Sequence, residues 1–198
     1  MRVESATTTM PQPAYNELLL QRDGNRYRWE LLANSNLTLQ HLDTNEVLKT
    51  VRLGIECGRL PEDTGTDIPA ILGKFGLLKD GVLNNAAAVL FGKHEDMEYP
   101  QCLLRLARFK GTDKTVFMDS QRIQGNFFQL LNAAMAFIFK HLSLSGTTDT
   151  LEREEHLTIP YKAIREGVLN SLTHRSYKEA GGSVGIAIYD CLLYTSPS

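Results

Sequence analysis

Between residues 163 and 190 the spacing of apolar residues switches from that of a helix to that of a strand, and this switch limits the folds open to the chain. In "AIREGVLNSLTHRSY" Ile164, Val168, Leu169 and Leu172 recur every three or four residues as one apolar stripe. Glu166, Asn170 and His174 recur every four residues as a polar stripe opposite, because four steps of about 100° drift by only about 40°. After two glycines, "GGSVGIAIYD" alternates Val184, Ile186 and Ile188 with the two-residue period of a half-buried strand. A one-faced helix and a one-faced strand bury each other. The expected fold class is therefore α/β of the mixed α+β kind, with a helix over 162–175 and a strand over 183–189 packed beside it.

Upstream, the signals are mostly helical. Asp43 with Glu46 three residues on is a capping-box pattern, and Gly58 stops the helix expected over 44–57. A shorter helix over 67–75 ends at Gly76, and Asp80-Gly81 predicts a tight turn. "PAYNELLLQRDG" has helical spacing, while "AAAVLFG" reads as a buried strand and "QCLLRLARFKGTDK" as a second one. Asn126 caps a helix of about 15 residues whose core face is Phe127, Leu130, Leu131, Ala134, Ile138 and Leu142. Polar residues 143–157 read as loop, Pro160 opens the next helix, and "GGSVG" at 181–185 reads as a turn into a strand. The first dozen residues read as the end of a strand and an exposed loop. The terminal "CLLYTSPS" leaves 191–198 with nothing to pair with, as in a truncated or non-native tail.

Composition removes several function classes. With 21 Lys and Arg against 23 Asp and Glu the net charge is -2, so no global basic field draws the chain to nucleic acid or to an anionic membrane. No apolar run approaches the roughly 20 residues of a membrane span, and no signal-peptide pattern opens the chain. Cys57, Cys102 and Cys191 are odd in number and widely spaced, which suits a reducing cytoplasm; Cys57 and Cys102 read as core residues. His41, His94, His141 and His156 lack metal-ligand spacing. Arg105, Arg108, Lys110 and Lys114 form a local basic cluster, read as charges that blunt a strand edge or meet phosphates.

Several stretches together, "RVESATTT", "LNNAAAVLFGK", "PQCLLRLARFKGTDK", "IQGNFFQLLNAAMAFIFKHL" and "AIREGVLNSLTHRSY" with "GGSVGIAIYD", give the chain a family resemblance over nearly all of residues 1–190. It resembles bacterial and archaeal Schlafen/AlbA-type DNA-binding transcriptional regulators with a RecG-helicase-like C-terminal region. The resemblance implies that residues 1–10 are the end of a DNA-binding domain, with Glu4 where the family usually has Gly, and that DNA is bound through the part preceding them. It implies that 11–92 is a mostly helical connector and that 93–190 leads into the ATP-binding α/β sandwich of GHKL ATPases. In that family's first ATP-site motif a helix presents Glu and, four residues later, Asn, the positions of Glu166 and Asn170 here.

On the resemblance, Glu166 is the catalytic base, Asn170 a nucleotide-contacting residue and Mg²⁺ ligand, and His174 a further nucleotide contact; ATP and Mg²⁺ are the implied cofactors. The chemistry suits the residue types. A carboxylate can orient and deprotonate water, and an amide oxygen is a hard ligand suited to Mg²⁺. The family usually has Asp at the position of Ser176, and its Gly-rich lid and adenine-contacting Asp belong beyond residue 190. No G-x-x-x-x-G-K-[ST] motif occurs, so a P-loop motor of the helicase kind is absent from these residues. Two other readings stand beside this one. The helices at 44–57 and 67–75 with the Asp80-Gly81 hairpin have the order of a winged-helix DNA-binding module, although "IPAILGKFG" offers Lys74 alone for phosphates. Alternatively, the chain is a dimerisation scaffold with a decayed ATP site, whose partner is a second copy in a homo-oligomer.

Overall fold

Side-chain oxygens start four of the α-helices of this computed structural model, which describes residues 11–13, 15, 28–93, 99–142 and 159–190 and the backbone of strands at 2–3, 6–7, 144–147, 154–157 and 193–197. The Asp43 carboxylate accepts the N–H groups of Asn45 and Glu46 ahead of α1, Thr44–Glu56. Asp67 accepts the Ala70 N–H ahead of α2, Ile68–Lys74. Each cap satisfies donors that the first helical turn leaves without partners. Asp80 (φ 50°) and Gly81 (φ 78°) both lie in the left-handed region, which closes the hairpin of β3, Leu78–Lys79, and β4, Val82–Leu83.

The apolar run after this hairpin is helix α3, Asn85–Phe91, and not the strand its composition suggests. The Asn84 side chain accepts the Ala87 N–H at 3.1 Å, and three alanines with high helix propensity follow. Val47 and Val51 of α1, Ile71 and Leu72 of α2, Leu83, and Ala87 and Phe91 of α3 bury one core. Cys57, expected inside, is exposed, because it caps the C-terminal end of α1 just before the left-handed Gly58.

A second core lies between a sheet and two helices. The sheet runs in the order β10-β9-β5-β6, with β5 at Leu103–Phe109, β6 at Phe117–Gln124, β9 at Val184–Ile188 and β10 at Leu193–Pro197. β5 pairs antiparallel with β6 and parallel with β9, and β9 pairs antiparallel with β10. Residues 193–197 thus do find a partner, the otherwise open edge of β9. Helices α4, Phe127–His141, and α5, Tyr161–Thr173, lie on one face of the sheet and bury Leu130, Ala134, Ile138, Ile164, Val168 and Leu172 against Leu104, Leu106, Val184, Ile186 and Ile188. The mixed α/β class follows from this packing.

Two further corrections concern pairing. Residues 2–3 and 6–7 form a two-stranded ladder, β1–β2, where one strand and a loop were expected. Residues 144–147 and 154–157 pair antiparallel as β7–β8 inside the segment read as loop, backbone bonding there needing no apolar pattern. The helix expected over 13–24 lies, apart from positions 13 and 15, outside the described residues, as do Glu4, His94 and Cys191.

Asn126 joins the two cores. Its side-chain oxygen accepts the Gln129 N–H, the Gln129 side chain accepts the Asn126 N–H in return, and its amide donates to the Gly92 carbonyl at 3.0 Å. Phe91 of α3 stacks on Phe128 of α4 at 5.6 Å beside it.

Candidate functional site

Pro160 (φ -56°) opens α5, whose buried positions Ile164, Val168, Ser171 and Leu172 turn toward α4 and the sheet. That orientation leaves the other face to solvent, and Glu166, Asn170 and His174 are all exposed on it. The structure brings the three together as the spacing predicts. His174 is the C-cap, its N–H donating to the Asn170 backbone carbonyl at 2.9 Å. Among the described residues none of the three side chains has a hydrogen-bond partner, so an amide and a carboxylate stand free on one helical face.

The donor set can be tested against Mg·ATP. Mg²⁺ takes one or two protein oxygens with water and substrate phosphates, and needs no all-protein cage. Among the described residues no group of three or more His, Cys, Asp or Glu could hold a metal ion. Asn170 Oδ1 is a suitable single ligand, and the uncommitted Glu166 carboxylate stands one turn away. By donor chemistry alone the two residue types suit the group.

The residues just past the C-terminal end of α5 are structural. Arg175 and Tyr177 are buried, whereas Ser176 is exposed. Arg175 Nη1 donates to the Gln101 carbonyl, Gln101 Nε2 donates to the Tyr177 carbonyl at 3.1 Å, and the Tyr177 hydroxyl donates to the Leu172 carbonyl at 2.9 Å. The guanidinium lies over the Tyr177 ring, 5.4 Å from its centre. Burial pushes the Tyr177 phenol and the Cys102 thiol up, the thiol to about 12, so Cys102 is an inert core residue. This clasp fixes where α5 ends. Sequence reasoning missed it, since Gln101 and Arg175 meet only through the fold.

A second clasp holds the end of β9. The Asp190 carboxylate accepts the Gly111 N–H at 2.6 Å and Arg108 Nη2 at 2.5 Å, so Arg108 belongs to this pair and not to a free basic cluster. The Gly111 N–H first, and Arg108 second, hold the Asp190 carboxyl below the usual carboxylate range. A lowered folded pKa gives stability that is present above the unfolded value of about 3.9 and lost as pH falls through the folded one. Asp190→Asn should therefore melt below the wild type at pH 6, and the two melting temperatures should converge as pH drops below about 4. Parallel curves over the whole range would refute this role.

Elsewhere, a groove of about 700 Å³ on the helical part is lined by Leu37, Leu39, Pro69, Leu78 and Val82 among others, with no titratable side chain. It offers no acid–base chemistry. The winged-helix order of α1, α2 and the β3–β4 hairpin is present, with Ala33 bridged to Asn84, but α2 exposes Pro69, Ala70, Gly73 and Lys74, a surface with one positive charge. No helix among the described residues is long and apolar enough to cross a membrane.

The fold has a solved counterpart. The chain is similar over its whole length to the DIP2311 protein from Corynebacterium diphtheriae, with a TM-score of 0.66 and 15% sequence identity, and it spans 38% of that protein. No family model and no curated protein matches the sequence.

Proposed function

We propose that this chain is part of a cytoplasmic, DNA-associated regulator and carries the first ATP-site helix of a GHKL-like nucleotide-binding region. One observation carries the reading: on α5, Glu166 and Asn170 stand four residues apart on one exposed face with their side chains uncommitted. Buried or ion-paired, they could not serve. Asn170 would hold Mg²⁺, whose chemistry when bound is to neutralise charge on phosphate oxygens. Glu166 orients a water and takes its proton, and His174 contributes a ring nitrogen at the end of the same stripe. Duplex DNA contact is assigned to a domain preceding residue 1, in keeping with the net charge of -2.

The site requires pieces beyond Asp190 to hold adenine and cover the phosphates, so residues 1–198 alone should hydrolyse little or no ATP. The test is titration with Mg·ATP of a protein that carries this chain with its downstream continuation. Wild type should bind, and Asn170→Ala should bind at least about tenfold more weakly in Mg²⁺ but not in EDTA, because a metal ligand has been removed. A wild type that binds no nucleotide would make the stripe a solvated surface and the chain a scaffold.

A further inference from the structure

The two helices cover one face of the four-stranded sheet, and among the described residues no helix covers the other. Its residues follow from the register: Arg105 opposite Arg122, Ala107 opposite Ser120, and Phe109 opposite Phe117 on β5 and β6, with Gly185 and Ala187 alongside on β9. Arg105, Ser120, Arg122 and Gln124 are exposed there, and Phe117 is 62% exposed. Two features are unusual for a surface that meets only water. Like charges directly opposite destabilise a sheet, yet among the described residues neither Arg105 nor Arg122 has an ion-pair partner. At one end the rings of Phe109 and Tyr189 stack at 5.1 Å and 14°, with Phe117 against Phe109 at 4.5 Å.

Lys110 and Lys114 add positive charge beside the aromatic end, and the nearby Asp113 carboxylate is turned back onto Thr115. Between rings and arginines the surface is small, with Ala107, Ser120, Gly185 and Ala187, so a planar group can lie flat on it. Cations to meet phosphates, rings to stack bases and a flat floor between them are the parts of a single-strand platform. A duplex hides its bases, and a plain acidic peptide has no use for the rings.

We infer that the helix-free face of this sheet, with Arg105, Arg122, Phe117 and Tyr189, binds single-stranded DNA. The choice of DNA over RNA rests on the DNA-associated function proposed for the chain; the platform does not, since it lies on the face of the sheet opposite α5. The bases stack on Phe117 and Tyr189, and the arginines take the backbone that leads away from them.

The experiment is fluorescence anisotropy of the 198-residue chain with labelled oligo-dT of about 12 nucleotides, within the roughly 4–16 nucleotides typical of such surfaces. Oligo-dT should bind at least about tenfold tighter than a blunt duplex of the same length, which should stay near the roughly 10⁻⁴ M of non-specific binding. Phe117→Ala should weaken binding by about five- to tenfold, while Phe117→Trp keeps it. Arg105→Ala and Arg122→Ala should each flatten the salt dependence by about 0.7 in log–log slope. Lys79→Ala, on the β3–β4 hairpin, should change nothing. Equal affinity for duplex and single strand, wild-type binding by Phe117→Ala, or equally strong competition by inorganic polyphosphate would overturn the platform. Binding of oligo-rU without oligo-dT would overturn the choice of DNA. Failure of the protein with its downstream continuation to bind Mg·ATP, with oligo-dT binding by the 198-residue chain intact, would overturn the ATP reading alone.

Discussion

Glu166→Gln should slow ATP turnover by about 100-fold or more while leaving Mg·ATP binding near that of the wild type, in a protein with both halves of the site. The amide has almost the shape of the carboxylate and can still hydrogen-bond a water, but it cannot accept a proton. A positioned general base contributes typically about 10²–10⁴-fold, which sets the expected range. The helix itself should be undisturbed, because Glu166 is exposed and its side chain takes no part in the packing of α5 on α4. Phosphate release under single-turnover conditions, read beside a binding titration, separates the two effects. A parallel loss of binding and turnover would mean that Glu166 holds nucleotide and is not the base.

Asn126→Ala should produce the largest loss of stability from a single polar side chain. The residue is fully buried, and its amide does two jobs. Losing the cap on α4 costs about 1 kcal/mol, and stranding the Gly92 carbonyl without its donor adds about 1–3 kcal/mol. The sum, about 2–4 kcal/mol, corresponds to roughly 5–15 °C in melting temperature for a chain of this size. Asn126→Ser separates the jobs, since a hydroxyl can still accept the Gln129 N–H but is too short to reach Gly92. It should recover about 1 kcal/mol. Equal melting temperatures for Asn126→Ala and the wild type would remove the residue from this role.

The cap was legible in sequence because it is local: Asn126 and Gln129 are three residues apart, as are Asp43 and Glu46. The same holds for the polar stripe, whose face is fixed by helical spacing alone. What sequence did not reveal was non-local. The bond from Asn126 to Gly92 crosses 34 positions, the Gln101–Arg175 clasp 74, and the Arg105–Arg122 opposition exists only through the β5–β6 register. Periodicity failed where it is weakest, on the short apolar run "AAAVLF", which is too brief to separate a strand from one or two helical turns. There the Asn84 cap and the alanines were the better guide. It failed again at 144–147 and 154–157 and at 193–197, where backbone pairing decides the structure and no apolar pattern marks it.

The central claim is that the exposed stripe of α5 meets the metal and phosphates of a nucleotide. Its most direct test replaces Mg²⁺ with Mn²⁺ and records the side-chain amide signals of ¹⁵N-labelled asparagine, with and without a non-hydrolysable ATP analogue, in a protein that carries this chain and its downstream continuation. If Asn170 ligates the ion, its side-chain signal should broaden beyond detection when nucleotide is added, while those of Asn34, Asn84 and Asn126 in the other core and its junction persist. Nucleotide binding that leaves the Asn170 signal sharp would contradict the account.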